Sequence, residues 1–510
     1  MGSGGGFVDY DGDGYPDILL LNGHSLPAPT VTETPGLRLY HNNRNGTFTD
    51  VTAGSGLDKA RLYAMGLAVG DYDNDGRDDV YISCVLGPSH LFRNETPPRQ
   101  ANGKHPVFRD VTALAGVANA GMWGTSCCWV DYDRDGYLDL FICNYVRYRS
   151  LKDDLPCFLT PTEHTYCLPN AFPPSRCTLY HNNHDGTFTD VSQQSGIASA
   201  PGKALGVAIW DYDGDGLPDI FVANDTVPGF LFHNLGKGRF EEVGMASGVA
   251  CDESGTPHSG MGIDATDAAS DGKTHLVIAN YSGVQTSYYE QIQPGVFQDR
   301  RTPVGVGPPS TNLLGFGAFF FDYDNDGWKD LLVVNGHVED DIEQKQPDVR
   351  YAEPPLLYHN RGDGTYTELA ARSGPPLTRP IVGRAAAHAD IDNDGREDVL
   401  VTTNGGPAYL WRNQTRTAHH WLTFRLVGVK SNRDGIGALV TVMAGGRALR
   451  DSCRSGSSYL SANDLRVHFG LGAATQAEVT VRWPSGREEH LAGLAADRIW
   501  TLREGSGKAE

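Results

Sequence analysis

A nine-residue pattern, Asp-x-Asp-x-Asp-Gly-x-x-Asp, recurs seven times with small changes, and nothing else in the chain limits its fold so tightly. Asp211-Tyr-Asp213-Gly-Asp215-Gly216-Leu-Pro-Asp219 is a full copy. Carboxylates at positions 1, 3, 5 and 9 aim four oxygen donors at one point, and glycine at 6 allows the chain to reverse with φ > 0. Calcium takes about 6–8 oxygens in a flexible shell, so this is calcium chemistry. The loop resembles the first half of an EF-hand, but no glutamate arrives at position 12 and no helices flank it. Short β-type runs stand on either side instead, at 206–210 and 220–223, which places the loop in a hairpin turn.

Position 1 falls at Asp9, Asp71, Asp131, Asp211, Asp267, Asp322 and Asp390, at intervals of 62, 60, 80, 56, 55 and 68 residues. A period near 60 with β segments predicts an all-β, seven-bladed β-propeller with four strands per blade. The metal ligands expected are Asp9, Asp11, Asp13 and Asp17; Asp71, Asp73, Asp75 and Asp79; Asp131, Asp133, Asp135 and Asp139; Asp211, Asp213, Asp215 and Asp219; Asp322, Asp324, Asp326 and Asp330; and Asp390, Asp392, Asp394 and Asp398. The fifth loop, Asp267 to His275, lacks carboxylates at positions 3 and 9, so its calcium site should be weak or empty. About six Ca²⁺ are therefore expected.

After each of the first six loops comes a second unit, as in Leu39-Tyr-His-Asn42 followed by Asn45-Gly46-Thr-Phe-Thr-Asp-Val51, with the turn chemistry of a hairpin. The seventh repeat stops at Asn413 without it, so its blade should be incomplete or patched by the C-terminal module. Because the chain meets its first loop by Asp9, in mid-repeat, it reads as N-terminally truncated, with any export signal missing.

Net charge is −21, from 42 basic and 63 acidic residues, which argues against a nucleic-acid partner; six Ca²⁺ add +12 and bring it to −9. No apolar run is long enough to span a membrane. An insertion at about 145–177 accounts for the 80-residue interval and holds Cys157, Cys167 and Cys177 among prolines. It suits a local disulfide in an oxidising compartment, Cys157 to Cys167 first. Cys127, Cys128 and Cys143 lie in apolar strands and read as buried thiols. Beyond a joint at 414–418 the calcium pattern ends, and alternating strands over 419–505 predict a small separate sandwich or barrel, with a tail at 506–510.

The seven loops resemble the FG-GAP or VCBS repeats of integrin α-chain propellers. Ser431-Asn-Arg-Asp-Gly-Ile-Gly437 with Trp483-Pro-Ser-Gly486 resembles the ASPIC/UnbV domain, so the whole chain is similar to the cartilage acidic protein family and its bacterial relatives. That resemblance implies a secreted or periplasmic calcium-binding propeller of seven blades over 1–413. It does not fix an activity.

Thirteen residues past position 1 stand Asn22, Asn144, Asn224, Asn280 and Asn335, on the rim opposite the metals. Asparagine tolerates turn geometry and bonds its own turn, which is one reading. The other is a polar ring at the channel mouth, with His24, Asp225 and His337 close to strand ends, forming a ligand face for an extracellular protein, a glycan or a small apolar ligand. A binding or adhesion scaffold with structural calcium is the first functional reading. An alternative is a cyclase or lyase using Asp225 as a buried acid among aromatic side chains. A third has the C-terminal module recognise carbohydrate or protein, with the propeller as spacer. No Gly-x-Ser-x-Gly, His-Glu-x-x-His or phosphate loop is present.

Overall fold

The computed structural model describes residues 2–23, 36–97, 105–160 and 163–510. Seven antiparallel sheets follow one another between residues 5 and 411. Their first strands are Gly5–Val8, Ala64–Gly70, Gly124–Val130, Ala204–Trp210, Gly260–Thr266, Gly315–Phe321 and Gly383–Ala389. Each lies beside the next and the seventh returns to the first, so the sheets close a ring around one axis, as in a β-propeller.

The first two strands of each sheet carry near-continuous apolar runs because both of their faces are covered by neighbouring sheets. Near the axis the backbones come so close that side chains do not fit. A Cβ on Gly206 would stand 2.2 Å from Met261 O, and one on Gly262 would stand 2.0 Å from Phe316 O. The nonapeptide is the turn between strands one and two, as in the fourth sheet, where Trp210 pairs with Asp219.

Strand three fixes each sheet to its predecessor. The side-chain amides of Asn42, Asn94, Asn182, Asn234, Gln291, Asn360 and Asn413 donate to the carbonyls of Ile391, Tyr10, Tyr72, Tyr132, Tyr212, Ala268 and Tyr323, at 2.7–3.1 Å. Every acceptor is position 2 of the preceding loop, and Asn42 closes the cycle onto the seventh. The asparagine that ends each Leu-Tyr-His-Asn unit is thus an inter-sheet fastener. Asn182 also donates to Leu138 O at 3.0 Å. Asn182→Ala leaves two buried carbonyls without that donor, and urea unfolding should show a loss of about 1–3 kcal/mol.

Six of the sheets contain four strands of the propeller chain, whereas the seventh has three, Gly383–Ala389, Asp398–Thr403 and Tyr409–Trp411. The C-terminal module does not add to the seventh. Its segment Ser461–Ala462 pairs in parallel with Gly5–Gly6 of the first sheet instead.

The module is a sandwich of a three-stranded sheet (Val467–Gly472, His420–Val427, Arg498–Arg503) and a four-stranded one (Arg447–Ser452, Leu439–Ala444, Gln476–Arg482, Glu488–Ala495). It was expected to stand apart, but it is docked and sends residues 455–464 down the axis of the ring. There Ser455 Oγ accepts Trp129 N–H at 3.2 Å, Ser458 bonds Ile263 backbone to backbone, Ser126 Oγ accepts Leu460 N–H at 3.0 Å, and Asp464 N–H donates to His388 O. These partners lie on the first strands of the third, fifth and seventh sheets. Tyr459 and Leu460, both 0% exposed, pack with Met65, Leu205, Met261, Phe316 and Ala385. The axis is filled by protein.

Candidate metal centres

In all seven loops the position-1 aspartate accepts two backbone N–H groups from later in its own loop, at 2.6–3.2 Å. The tight wrap needs left-handed backbone twice, at position 4 (Asn74 φ 60°, Arg134 φ 62°, Asn393 φ 57°) and at the glycine of position 6 (Gly216 φ 91°). In loops one, two, three and seven, oxygens at position 3, position 9 or both are then left without a hydrogen-bond partner among the described residues. They are the buried Oδ1 of Asp11, Asp73, Asp133 and Asp392 and the buried Oδ2 of Asp17, Asp79 and Asp398. Buried carboxylate oxygens are costly without a partner, and a divalent cation satisfies several at once. The donor set fits calcium.

The position-9 carboxylates are held above the usual carboxylate range by their burial. Burial raises Asp17, Asp219, Asp330 and Asp398 to about 7 and Asp139 to about 8. At position 1, burial raises Asp9 and Asp390 to about 6 and Asp131 to about 7.

The loops also have a neighbour that the sequence reading missed. The histidine of the Leu-Tyr-His-Asn unit approaches position 9: Nδ1 of His41, His181, His233 and His359 lies 3.1–3.2 Å from Asp17, Asp139, Asp219 and Asp330. In the second and seventh sheets an arginine stands at the same strand position and meets position 3 instead, with Arg93 2.7 Å from Asp73 and Arg412 paired with Asp392. Its signal was the recurrence of His or Arg just before the strand-three Asn. Groups able to hold a metal, with one donor atom per residue mutually within 4.8 Å, include Asp9, Asp11 and Asp13; Asp71, Asp73 and Asp79; Asp133, Asp139 and His181; and Asp324, Asp330 and His359.

At the other end of the ring, the rim amides are engaged locally. Asn22 donates to Gly36 O, Asn144 to Arg176 O, Asn224 to Pro228 O, Asn280 to Gln285 O and Asn335 to Pro354 O, at 2.7–2.8 Å. Each ties the end of strand two to the connection leading into strand three. His24 lies outside the described residues. Asp225 is buried and accepts Tyr145 Oη at 2.6 Å, and burial raises its pKa. His337 is buried against the edge of Tyr281, with ring centroids 5.4 Å apart. Above them lies the insertion, closed by the Cys157–Cys167 disulfide. Its Asn170 accepts Lys203 Nζ at 2.6 Å on one side, and its Thr165 accepts Lys345 Nζ at 3.2 Å on another. Tyr145, Tyr148 and Phe172 bring a chain of aromatic contacts with Trp123 over the mouth.

Comparison with known proteins agrees with both halves of this architecture. The FG-GAP-like repeat family matches residues 9–82, 170–222 and 211–278, and the ASPIC and UnbV family matches residues 428–509. The chain joins an FG-GAP-repeat propeller to an ASPIC/UnbV domain. It is 26% identical to cartilage acidic protein 1 of Mus musculus over 439 residues, 83% of this chain and 62% of that protein's length. It is 25% identical to integrin alpha pat-2 of Caenorhabditis briggsae over 238 residues, 42% of this chain and 17% of that one. Among solved structures, YCF48 bound to D1 peptide is similar with a TM-score of 0.43 at 7% identity, covering 81% of this chain and 93% of that one.

The ASPIC/UnbV domain sits on the acidic loops and touches all seven. Its Ser431-Asn-Arg-Asp434 run does so directly: Asn432 Nδ2 lies 3.5 Å from Asp131, Arg433 N–H donates to Asn74 Oδ1 at 2.8 Å, and Asp434 accepts Asp71 N–H at 2.7 Å. Arg482 reaches Asp211 at 2.6 Å, Arg450 reaches Asp267 at 3.3 Å, Arg447 reaches Gly327 O at 2.6 Å, and Arg466 reaches Asp390 O at 2.9 Å and, more distantly, Gly14 O at 3.4 Å. A cavity of about 680 Å³ remains between the domain and loops three to five.

Proposed function

We propose that the chain is an extracellular or periplasmic binding scaffold whose propeller is held in shape by about six Ca²⁺, one in each intact loop. The observation that carries this reading is the set of buried, unpartnered carboxylate oxygens at positions 3 and 9 in four of the six intact loops, with the same aspartate spacing in the other two. In each intact loop the four aspartates would hold the ion, which supplies the charge that lets them lie together. The Cys157–Cys167 disulfide favours an oxidising compartment, where calcium is also abundant. No helix among the described residues is long and apolar enough to cross a membrane.

The ligand face proposed is the one opposite the loops, since the ASPIC/UnbV domain covers the loop face. The insertion dominates it and exposes Leu151, Leu155, Tyr166 and Leu168, the last two 64% and 68% exposed. Apolar side chains grouped at one place on a surface mark binding sites. Asp225 and Tyr145 lie beneath as a buried acid with its donor, which keeps the cyclase or lyase reading as the alternative.

Elemental analysis of protein passed through a calcium-free column tests the metal. About six equivalents are expected, falling by one in Asp324→Asn with Asp330→Asn. Retention of none after exposure to excess calcium would end the proposal.

A further inference from the structure

The fifth loop keeps the backbone of the other six but not their donors. Asp267 still accepts the N–H groups of Asp271 and Gly272 at 3.0 Å each, and Ser270 takes the left-handed conformation at φ 50°. Position 3 is Ala269 and position 9 is His275.

His275 is 3% exposed, and its Nδ1 is buried with no hydrogen-bond partner among the described residues. In loops one, two and seven the atom in that state at position 9 is a carboxylate oxygen. A ring nitrogen of His275 and one oxygen each of Asp267 and Asp271 lie within 4.8 Å of one another. A buried, unpartnered donor atom is thus kept at position 9, but its chemistry has changed from oxygen to nitrogen.

Two carboxylates and an imidazole are a poor shell for calcium, which needs about 6–8 oxygens. They suit a borderline divalent cation. Zinc accepts histidine nitrogen and carboxylate oxygen at about 2.0–2.2 Å, often with three protein ligands and a water. Both carboxylates already accept loop N–H groups, Asp271 Oδ1 taking that of Lys273 at 3.0 Å, so each has only a remaining lone pair on one oxygen to give a metal. Lys273 Nζ lies 3.1 Å from Asp271 Oδ2 and Arg450 Nη1 lies 3.3 Å from Asp267 Oδ2, so two monodentate carboxylates and one imidazole are what the loop can offer.

We propose that the fifth loop is a zinc-class site in which His275, Asp267 and Asp271 bind one Zn²⁺. The site does not depend on calcium in the other loops.

The test uses the full chain, stripped by chelation and returned to excess calcium before ZnCl₂ is added. One zinc is expected to stay with the protein through gel filtration, and Co²⁺ in its place should give the visible absorption of a nitrogen- and oxygen-bound ion. His275→Ala should lose both with calcium content unchanged, and His275→Gln serves if the alanine variant does not fold. His275→Asp should lose the cobalt absorption. Zinc uptake by His275→Ala equal to the parent, or none by the parent, overturns the proposal. Calcium counted in the same samples reports separately on the six other loops.

Discussion

Chelation of the calcium-loaded protein is expected to lower its melting temperature by about 15 °C. At free calcium a hundredfold above the dissociation constant each site adds about 2.7 kcal/mol, so six add about 16 kcal/mol, and a chain of this length loses about 1 °C per kcal/mol. Differential scanning calorimetry with and without EDTA measures it, and a shift of only a degree or two would remove calcium from the structural account. The metal-free protein should also show an unusual pH dependence. Position-9 carboxylates that stand at about 7 to 8 when folded, against 3.8 ordinarily, keep protons that the unfolded chain releases. The stability they contribute is full below about pH 4 and is lost progressively as pH rises from there to about 8, each tenfold difference in proton affinity between the folded and unfolded chain being worth about 1.4 kcal/mol per group. In EDTA the melting temperature should therefore fall between pH 5 and 8. With calcium the same groups are held ionised, so the slope should reverse and stability should fall as pH drops.

What could be read from the sequence was what is local. A nonapeptide turn, an Asn-Gly hairpin and a disulfide spanning ten residues each put their determinants within a short stretch, so spacing alone predicts them. The closed ring of sheets also followed, because a period near 60 residues repeats the same local unit. The contacts that make the molecule one body were not legible in this way. Asn432, Arg433 and Asp434 marked a family resemblance in the sequence, yet they meet loops about 300 to 360 residues earlier. No periodicity links such positions. The rim asparagines show the converse: Asn144, Asn224, Asn280 and Asn335 recur in register, which a shared turn explains before a shared site does, and their bonds go to the turn. The strand-three histidines were in plain view but had been absorbed into a hairpin signature, since only the folded sheet brings His359 back to Asp330.

Tyr459→Ala is expected to destabilise the whole protein by about 3–5 kcal/mol, as for removal of a large buried ring. The side chain is 0% exposed, and its ring lies 5.0 Å from that of Phe316 on a first strand of the propeller, so the cavity would open on the axis where several sheets meet. Tyr166→Ala, on the exposed insertion, should change stability by less than about 0.5 kcal/mol. If urea unfolding followed by tryptophan fluorescence gave the two variants equal midpoints, residues 455–464 would be a passive tail and not a structural plug. The same geometry predicts a larger loss when residues 419–510 are removed. That deletion strips cover from all seven loops and bares Met65, Leu205, Met261 and Phe316 to water, so the shortened chain should aggregate or melt far below the parent even in calcium. A soluble, monomeric fragment with the parent's melting temperature would show that the ring closes without its plug. Because the ASPIC/UnbV domain binds through the loops that calcium would occupy, metal loading and domain docking should stabilise each other. Protease cleavage at the 414–418 joint and in residues 455–464 should then accelerate together when calcium is withdrawn.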